Sequence, residues 1–278
     1  MISPRPLARG SIIGIVAPSG AIKNKDSFIE GIRILHELGY KTKFPRNLWP
    51  GKEYLADTDH IRVSEFLDMC NDNEVDAVMA ARGGYGCLRI GHKIVNENCF
   101  TTPKAFIGYS DITLFHNIFN HNNNLVTFHG PVVTSLTHLS DESIHSFNSI
   151  LQNKANIWEY DGNAEILQGD HTIEGISTGG NLSTVVSTIG TSLQPDWRDK
   201  IVFLEDTSEP TYRIDRMFTQ LKLAGMLDHV NALILGDFSN GLGLDRIALM
   251  RHHEAIWKRA MELVNTETTV WGDFPIGH

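Results

Sequence analysis

The stretch AFIGYSDITLF at residues 105–115 contains the clearest change of pattern in the chain. Its apolar start and glycine predict the end of a buried strand, and the spacing of Ile112 and Phe115 predicts a helix. Ser110 and Asp111 occupy the corner between these two elements. Either residue is typical of a helix N-cap, but hydrolases also place a nucleophilic serine on a strand-to-helix turn. The second glycine of G-x-S-x-G is missing, so the motif alone leaves both interpretations open.

The chain before Ser110 repeats the same strand-then-helix order. Short apolar segments end in turn residues, and amphipathic segments with helical spacing follow them. The predicted strands are residues 11–18, 75–81 and 104–109, and the predicted helices are residues 26–38 and a segment around 65–69. Such alternation predicts an α/β fold in which helices cover both faces of a parallel sheet.

The second half of the chain has a different character. Residues 137–170 are polar and show no long periodic segment, so we expect a crossover into a second domain there. Further elements are predicted at 201–205 (strand), 211–224 (helix) and 232–238 (strand). We therefore expect two domains, residues 1–150 and residues 151–278, with a ligand site between them, since clefts between domains are common ligand sites.

Composition argues against several classes of function. The 278 residues carry a net charge of −9 without a cluster of lysines and arginines, which argues against nucleic-acid binding. No segment approaches the ~20 apolar residues of a membrane helix, and no apolar signal segment precedes Ser11. We therefore expect a cytoplasmic protein without membrane contact. The three cysteines show no C-x-x-C spacing, so we expect no disulfide framework.

A glycine-rich segment, ARGGYG at residues 81–86, lies at the end of the strand predicted at residues 75–81. Without a Cβ atom, Gly83 and Gly84 allow backbone amides to approach a ligand closely. The spacing matches neither G-x-G-x-x-G nor a P-loop, so we expect no nucleotide cofactor. An oxyanion contact fits better, together with the backbone N–H of Asp111. A plain tight turn is the alternative.

A nucleophilic serine needs a base and a carboxylate that orients it. Glu205 ends a predicted strand and is a candidate for the carboxylate, whereas Asp206 or Glu209 is expected to stabilise the N-terminus of the 211–224 helix. Among the histidines, His278 follows the strand-like segment WGDFPIG and is the first candidate for the base. His129, in TFHGP, is the second.

Together these segments resemble one family, the serine-type LD-carboxypeptidases of peptidoglycan recycling (murein tetrapeptide carboxypeptidases). The matching segments, in order, are IVAPSG, ARGGYG, GYSDIT, HGP, GGNL, FLEDTSEPTYRIDRMFTQL, LILGDF and FPIGH. The resemblance implies an N-terminal α/β domain, a C-terminal β-rich, barrel-like domain and a homodimer. It also implies removal of the terminal D-alanine from muropeptide tetrapeptides, at an L,D-peptide bond.

The resemblance also implies roles for individual residues. Ser110 corresponds to the nucleophile, Glu205 to the acid of the triad and His278 to its base, and the chain ends at this histidine, where family members generally continue. A carboxypeptidase must also bind a free carboxylate, which favours an arginine. Arg82 is the first candidate and Arg213 the second, and a structural ion pair is the alternative for each.

Three other functions compete with this interpretation. Microcin-resistance hydrolases, which cleave aminoacyl-nucleotide conjugates, belong to the same superfamily. A non-catalytic muropeptide-binding protein would have the same two-domain layout. A metal hydrolase could use His129, Asp237 or His278, but no ligand spacing of the H-E-x-x-H kind supports it, so we expect no metal.

Overall fold

The computed structural model describes residues 1–97, 99–154, 164–169, 172–238 and 241–277. The chain divides into two compact units, residues 1–159 and 160–278. Each unit has its own sheet and its own hydrophobic core.

The first unit contains five parallel strands in the order β2-β1-β3-β4-β5. The strands are β1 (Ile12–Val16), β2 (Lys41–Lys43), β3 (Ala77–Ala80), β4 (Ala105–Gly108) and β5 (Phe128–His129). The helices are α1 (Lys25–Glu37), α2 (Asp59–Asn71), α3 (Cys87–Ile94), α4 (Thr113–Asn122) and α5 (Asp141–Leu151). Short 3-10 segments occupy Ser110–Ile112 and Val133–His138. The α/β fold expected from the alternating pattern is confirmed.

Local sequence explains why these elements form where they do. All four residues of β3 are buried, as expected for a central parallel strand covered on both faces. The Asn24 side chain caps α1 by accepting hydrogen bonds from the N–H groups of Asp26 and Ser27. Gly39, with φ at +93°, terminates the same helix in the left-handed conformation that glycine favours.

The polar stretch at 137–170 differs from the sequence-based expectation in one respect. It contains the helix α5, although no long periodic segment was expected there. The Ser140 side chain caps this helix, and Phe147 and Leu151, four residues apart, bury its narrow apolar face. The helix is mostly polar because only this narrow face packs on the core, which hid its period in the sequence. Residues 155–163 and 170–171 of the stretch lie outside the described residues.

The second unit contains a mixed five-stranded sheet in the order β6-β10-β9-β8-β7. Its strands are β6 (Glu165–Gln168), β7 (Ile176–Asn181), β8 (Lys200–Glu205), β9 (Ala232–Leu235) and β10 (Thr269–Gly272). Four of them run parallel, and the edge strand β6 pairs with β10 antiparallel. Its helices are α6 (Leu182–Val186), α7 (Thr211–Leu223) and α8 (Arg246–Leu263).

The core of this unit lies between the sheet and its helices, and Trp197, Phe218 and Phe238 are its largest buried side chains. The strand expected at 201–205 and the helix expected at 211–224 are both present, whereas the strand expected at 232–238 ends at Leu235. Within the described ranges, no helix combines the length and hydropathy of a membrane-spanning segment.

Candidate active site

Ser110 has a strained backbone. Its φ of +64° lies in the left-handed region, which residues other than glycine, asparagine and aspartate rarely adopt. Such a conformation costs about 1–3 kcal/mol and is concentrated at functional sites. Neither the 3-10 turn that begins at Ser110 nor α4 behind it has a side-chain hydrogen bond at its N-cap. Ser110 is therefore not the N-cap of either segment, because Tyr109 and Ile112 occupy those positions. A left-handed serine at a strand-to-helix corner is the geometry expected of a nucleophile elbow.

The glycine-rich loop after β3 lies directly against this corner. A Cβ atom built on Gly83 would lie 2.8 Å from Cβ of Ser110 and 3.0 Å from its Oγ. Gly84, the next residue, has a φ of +115°. Only a glycine at position 83 lets the backbone of the loop come this close to the Ser110 hydroxyl.

The carboxylate of Asp111 connects three loops at the carboxyl end of the sheet. It is 5 % exposed, and its Oδ2 accepts hydrogen bonds from the Ser19 hydroxyl (2.5 Å) and the Cys87 N–H (2.8 Å). Ser19 follows β1, and Cys87 begins α3 directly after the glycine loop. Burial raises the pKa of the Asp111 carboxyl, and the hydrogen bonds from Ser19 and Cys87 oppose this shift. The sequence indicated a helix N-cap or a backbone N–H donor at Asp111, and it gave no sign of these contacts of the side chain.

Arg82 is a cation in the same loop. Its side chain is half-buried, and Nη1 donates a hydrogen bond to the Ala21 carbonyl oxygen at 2.5 Å. Among the described residues, no carboxylate lies within ion-pair distance of its guanidinium. Burial lowers the pKa of Arg82. The second candidate, Arg213, differs, because it is exposed on α7 and its Nη1 lies 3.4 Å from a Glu209 carboxylate oxygen.

Glu205 ends β8 in the second unit and is completely buried. The C-terminal segment of the chain packs on it, since a Cβ atom built on Gly277 would lie 3.0 Å from both Cβ and Oε2 of Glu205. Gly277 has a φ of +128°, so both its conformation and its surroundings require glycine. His278, the residue that follows, lies outside the described residues.

Asp206 stabilises a different helix from the one that the sequence indicated. Its carboxylate accepts hydrogen bonds from the Ser183 N–H at 2.9 Å and from the Asn181 side-chain amide at 3.0 Å. These contacts lie at the start of α6, not of α7. The parallel pairing of β7 with β8 brings Asn181 opposite Glu205, and thus brings the start of α6 beside Asp206.

His129, the second candidate for the base, lies on β5 beside the end of β4. Its ring centroid is 6.3 Å from that of Tyr109 and 6.0 Å from that of His116. His116, which sequence reasoning did not single out, is buried, and its Nε2–H donates to the Gly108 carbonyl oxygen at 2.7 Å. Burial lowers the pKa of His116 to about 4, so this imidazole is neutral at physiological pH.

A strained serine at the end of a parallel strand, with a glycine loop against its hydroxyl, is typical of the class of serine hydrolases. Comparison with known families narrows this class. Residues 13–130 match the LD-carboxypeptidase N-terminal domain, and residues 174–278 match the LD-carboxypeptidase C-terminal domain. The chain therefore belongs to the LD-carboxypeptidase family of peptidases.

Individual relatives and solved structures are similar to this chain over most of its length. A probable murein peptide carboxypeptidase of Bacillus subtilis is 36% identical over 250 residues, which cover 87% of this chain and 77% of the relative. The microcin C7 self-immunity protein MccF of Escherichia coli is 27% identical over 263 residues, covering 83% and 76%. The crystal structure of an MccF-like protein from Bacillus anthracis has the same fold, with a TM-score of 0.80 and 22% identity, and covers 99% of this chain and 92% of its own.

Proposed function

We propose that this chain is a serine carboxypeptidase that removes the terminal D-alanine from muropeptide tetrapeptides in peptidoglycan recycling. One observation carries the proposal: Ser110 combines a φ of +64° with a glycine backbone against its hydroxyl. The strain and the close approach together are what an elbow nucleophile beside an oxyanion hole requires. The relative with 36% identity, a probable murein peptide carboxypeptidase, supports the choice of substrate.

In the proposed mechanism, His278 accepts the Ser110 hydroxyl proton while the serine oxygen bonds to the carbonyl carbon of the L,D-peptide bond. Glu205 orients the imidazole and offsets its positive charge. When the tetrahedral intermediate collapses, the C–N bond breaks and the D-alanine amine takes the proton from the imidazolium. Water then attacks the acyl-enzyme in the same way, which releases the tripeptide with a new carboxylate.

The negative charge on the carbonyl oxygen needs donors that are already in place. We assign this role to the backbone N–H groups of Asp111, Gly83 and Gly84. The hydrogen bonds of the Asp111 carboxylate to Ser19 and to Cys87 support the assignment, because they fix the turn and the glycine loop to the same edge of the sheet.

We assign Arg82 to the terminal carboxylate of the substrate. Its guanidinium has no carboxylate partner among the described residues, and a half-buried cation without one favours an anionic ligand. Arg213 is the weaker candidate, because its exposed side chain already contacts Glu209.

The proposal is tested by incubating the purified chain with a disaccharide tetrapeptide and detecting tripeptide and D-alanine by mass spectrometry. The Ser110→Ala variant should release no D-alanine but should still bind the substrate. Ser64→Ala, an exposed position on α2, is the matched control and should retain full activity. Unchanged D-alanine release by Ser110→Ala would refute the nucleophile. Substrate binding by the wild-type chain without release would instead favour a muropeptide-binding protein.

The likeness to MccF supports one alternative, the hydrolysis of aminoacyl-nucleotide conjugates. The higher identity of 36%, against 27% for MccF, favours the muropeptide substrate. Parallel assays with a muropeptide and with an aminoacyl-nucleotide conjugate separate the two reactions. Cleavage of the nucleotide conjugate alone would replace the proposed function.

We further propose that the protein forms a homodimer, as the family resemblance implies, and that it is located in the cytoplasm, as expected from the sequence. Light scattering coupled to size-exclusion chromatography measures the oligomeric state directly, since a dimer has twice the 31.1 kDa mass of the chain.

A further inference from the structure

Two exposed tyrosines lie beside the glycine loop of the first unit. Tyr54 is 53% exposed and Tyr85 is 50% exposed. Their ring centroids are 6.2 Å apart, and the ring planes are tilted by 33°. Paired aromatic faces left open to solvent next to a candidate nucleophile are a feature of ligand-binding surfaces, because they offer a large apolar contact area with polar hydroxyl groups.

Backbone hydrogen bonds to residues 20 and 21 join the turn that carries Tyr54 to the glycine loop that carries Tyr85. Tyr85 follows Gly83 by two residues, and the Gly83 carbonyl oxygen accepts a hydrogen bond from the Gly20 N–H at 3.3 Å. The next residue, Ala21, donates its N–H to the Tyr54 carbonyl oxygen at 2.9 Å. The two rings therefore belong to the same cluster of loops that carries Ser110.

Hydrogen bonds fix Tyr54 both at its backbone and at its hydroxyl group. Its backbone lies in a tight turn closed by two hydrogen bonds, Lys52 N–H to Leu55 O (2.8 Å) and Leu55 N–H to Lys52 O (3.1 Å). Its hydroxyl oxygen accepts a hydrogen bond from Arg89 Nη1 at 3.3 Å. Arg89 is itself fixed by the Asp59 carboxylate, with Nε 3.0 Å from Oδ1 and Nη2 3.1 Å from Oδ2. Because the Tyr54 side chain is already ordered, less of its conformational entropy would be lost when a ligand binds.

The distance between the two tyrosines and Ser110 indicates which part of a bound substrate the tyrosines would contact. A tetrapeptide with its last bond at Ser110 leaves three residues before the sugar, and these span about 10 Å when extended. Tyr85 Cα lies within about 8 Å of Gly83 Cα, since two peptide units separate them, and its side chain extends this reach. We propose that Tyr54 and Tyr85 form a sugar subsite, in which a pyranose ring of the muropeptide stacks on the aromatic faces. This inference rests on the proposed function and deepens it.

Steady-state kinetics with two substrates tests the subsite. One substrate is the disaccharide tetrapeptide, and the other is the same tetrapeptide without sugar. Tyr85→Ala and Tyr54→Ala should raise KM for the sugar-bearing substrate about three- to tenfold, the effect of losing one aromatic stack, and should leave its kcat unchanged. The sugar-free tetrapeptide should show less than a twofold change. Tyr212→Ala is the control, at a tyrosine on α7 that is 63% exposed.

Two kinetic outcomes would overturn the inference. An equal rise in KM for both substrates would show that the rings bind the stem peptide, and no rise for either would show that they bind no part of the substrate. Tyr85→Phe, which keeps the stacking face, should behave as wild type.

Binding to the Ser110→Ala variant separates this inference from the proposed function. The sugar-bearing tetrapeptide should bind several-fold tighter than the sugar-free one, and adding Tyr85→Ala should remove the difference. Equal affinities for the two ligands would contradict the sugar subsite even if D-alanine release is observed. Sugar-dependent binding without any hydrolysis by the wild-type chain would contradict the proposed reaction and leave the subsite intact.

Discussion

At the scale of single residues, the site depends on the absence of one methyl group. A Cβ atom on Gly83 would lie 2.8 Å from Cβ of Ser110, closer than side-chain carbons approach one another. Gly83→Ala must therefore shift the glycine loop or the serine. A displacement of about 1 Å at a catalytic centre can cost about 100-fold in rate, so we expect a loss of kcat of this order.

The matched control is Gly130→Ala, because a Cβ atom built on Gly130 meets no other atom within 4 Å. This variant should keep its activity and its melting temperature. A Gly83→Ala variant with wild-type kcat would show that the close approach has no role in the reaction.

Asp111 predicts a dependence of stability on pH. Burial raises the pKa of this carboxyl, so the folded protein binds its proton more readily than the unfolded chain does. We compare the free energy of unfolding of the wild type with that of Asp111→Asn. The difference should shift in favour of the wild type as the pH falls from above the raised pKa to the ordinary aspartate value of about 3.9. Urea unfolding at a series of pH values measures this difference.

Asp59 provides a control of opposite sign. The hydrogen bond from Arg89 lowers the pKa of the Asp59 carboxyl. Relative to Asp59→Asn, the wild type should lose stability as the pH falls below the ordinary aspartate value. The same trend in both variants would contradict the assignment of burial as the cause at Asp111.

At the scale of elements, α1 packs unusually closely on the 3-10 segment Val133–His138. A Cβ atom on Gly31 would lie 2.0 Å from the Val133 carbonyl oxygen. In an open helix, Gly→Ala stabilises by about 1 kcal/mol. Here overpacking against backbone costs about 1–3 kcal/mol and outweighs the helix propensity, so Gly31→Ala should lower the free energy of unfolding. Chemical denaturation measures the change, with Ser64→Ala on the exposed face of α2 as the control.

Elements with an uninterrupted apolar pattern were predictable from the sequence, and this holds for helices such as α1 and α7 as well as for strands. β3 and β8 are short apolar runs bounded by turn residues, so their positions were predictable to within one or two residues. The helix α8 was not predicted, because His252 occupies one of the positions on its buried face and interrupts the apolar period. His252 is buried there because its ring nitrogens bond to the Thr211 hydroxyl and the Phe238 carbonyl oxygen.

The candidate site also combines features that a local sequence pattern reveals with contacts that no local pattern reveals. The strand-to-helix corner at Ser110 and the glycine loop after β3 were recognisable because each is a local pattern. The hydrogen bond from Ser19 to Asp111 joins residues 92 positions apart, and only the order of the strands brings them together. No local pattern encodes such a contact, so the sequence indicated the candidate nucleophile Ser110 but not the contacts of the Asp111 carboxylate that fix the loops around it.

At the scale of the whole molecule, the proposed triad draws on both units, with Ser110 in the first and Glu205 and His278 in the second. Glu205→Gln keeps the size of the buried side chain but removes the charge that would stabilise an imidazolium. We expect kcat to fall by a factor on the order of 10³–10⁴ while KM changes little. Glu254→Gln, at an exposed position on α8, is the control. Near-normal kcat in Glu205→Gln would exclude it from the triad.

The turn that carries Tyr54 has a consequence for how such a protein can diversify. Its two hydrogen bonds join the backbones of Lys52 and Leu55, so the side chain of residue 54 can be exchanged without removing either bond. Natural selection, or a small mutant library at this position, could therefore change which ligand is preferred and leave the corner at Ser110 intact. Descendants of one ancestral hydrolase could acquire new substrates by this route without rebuilding their catalytic machinery.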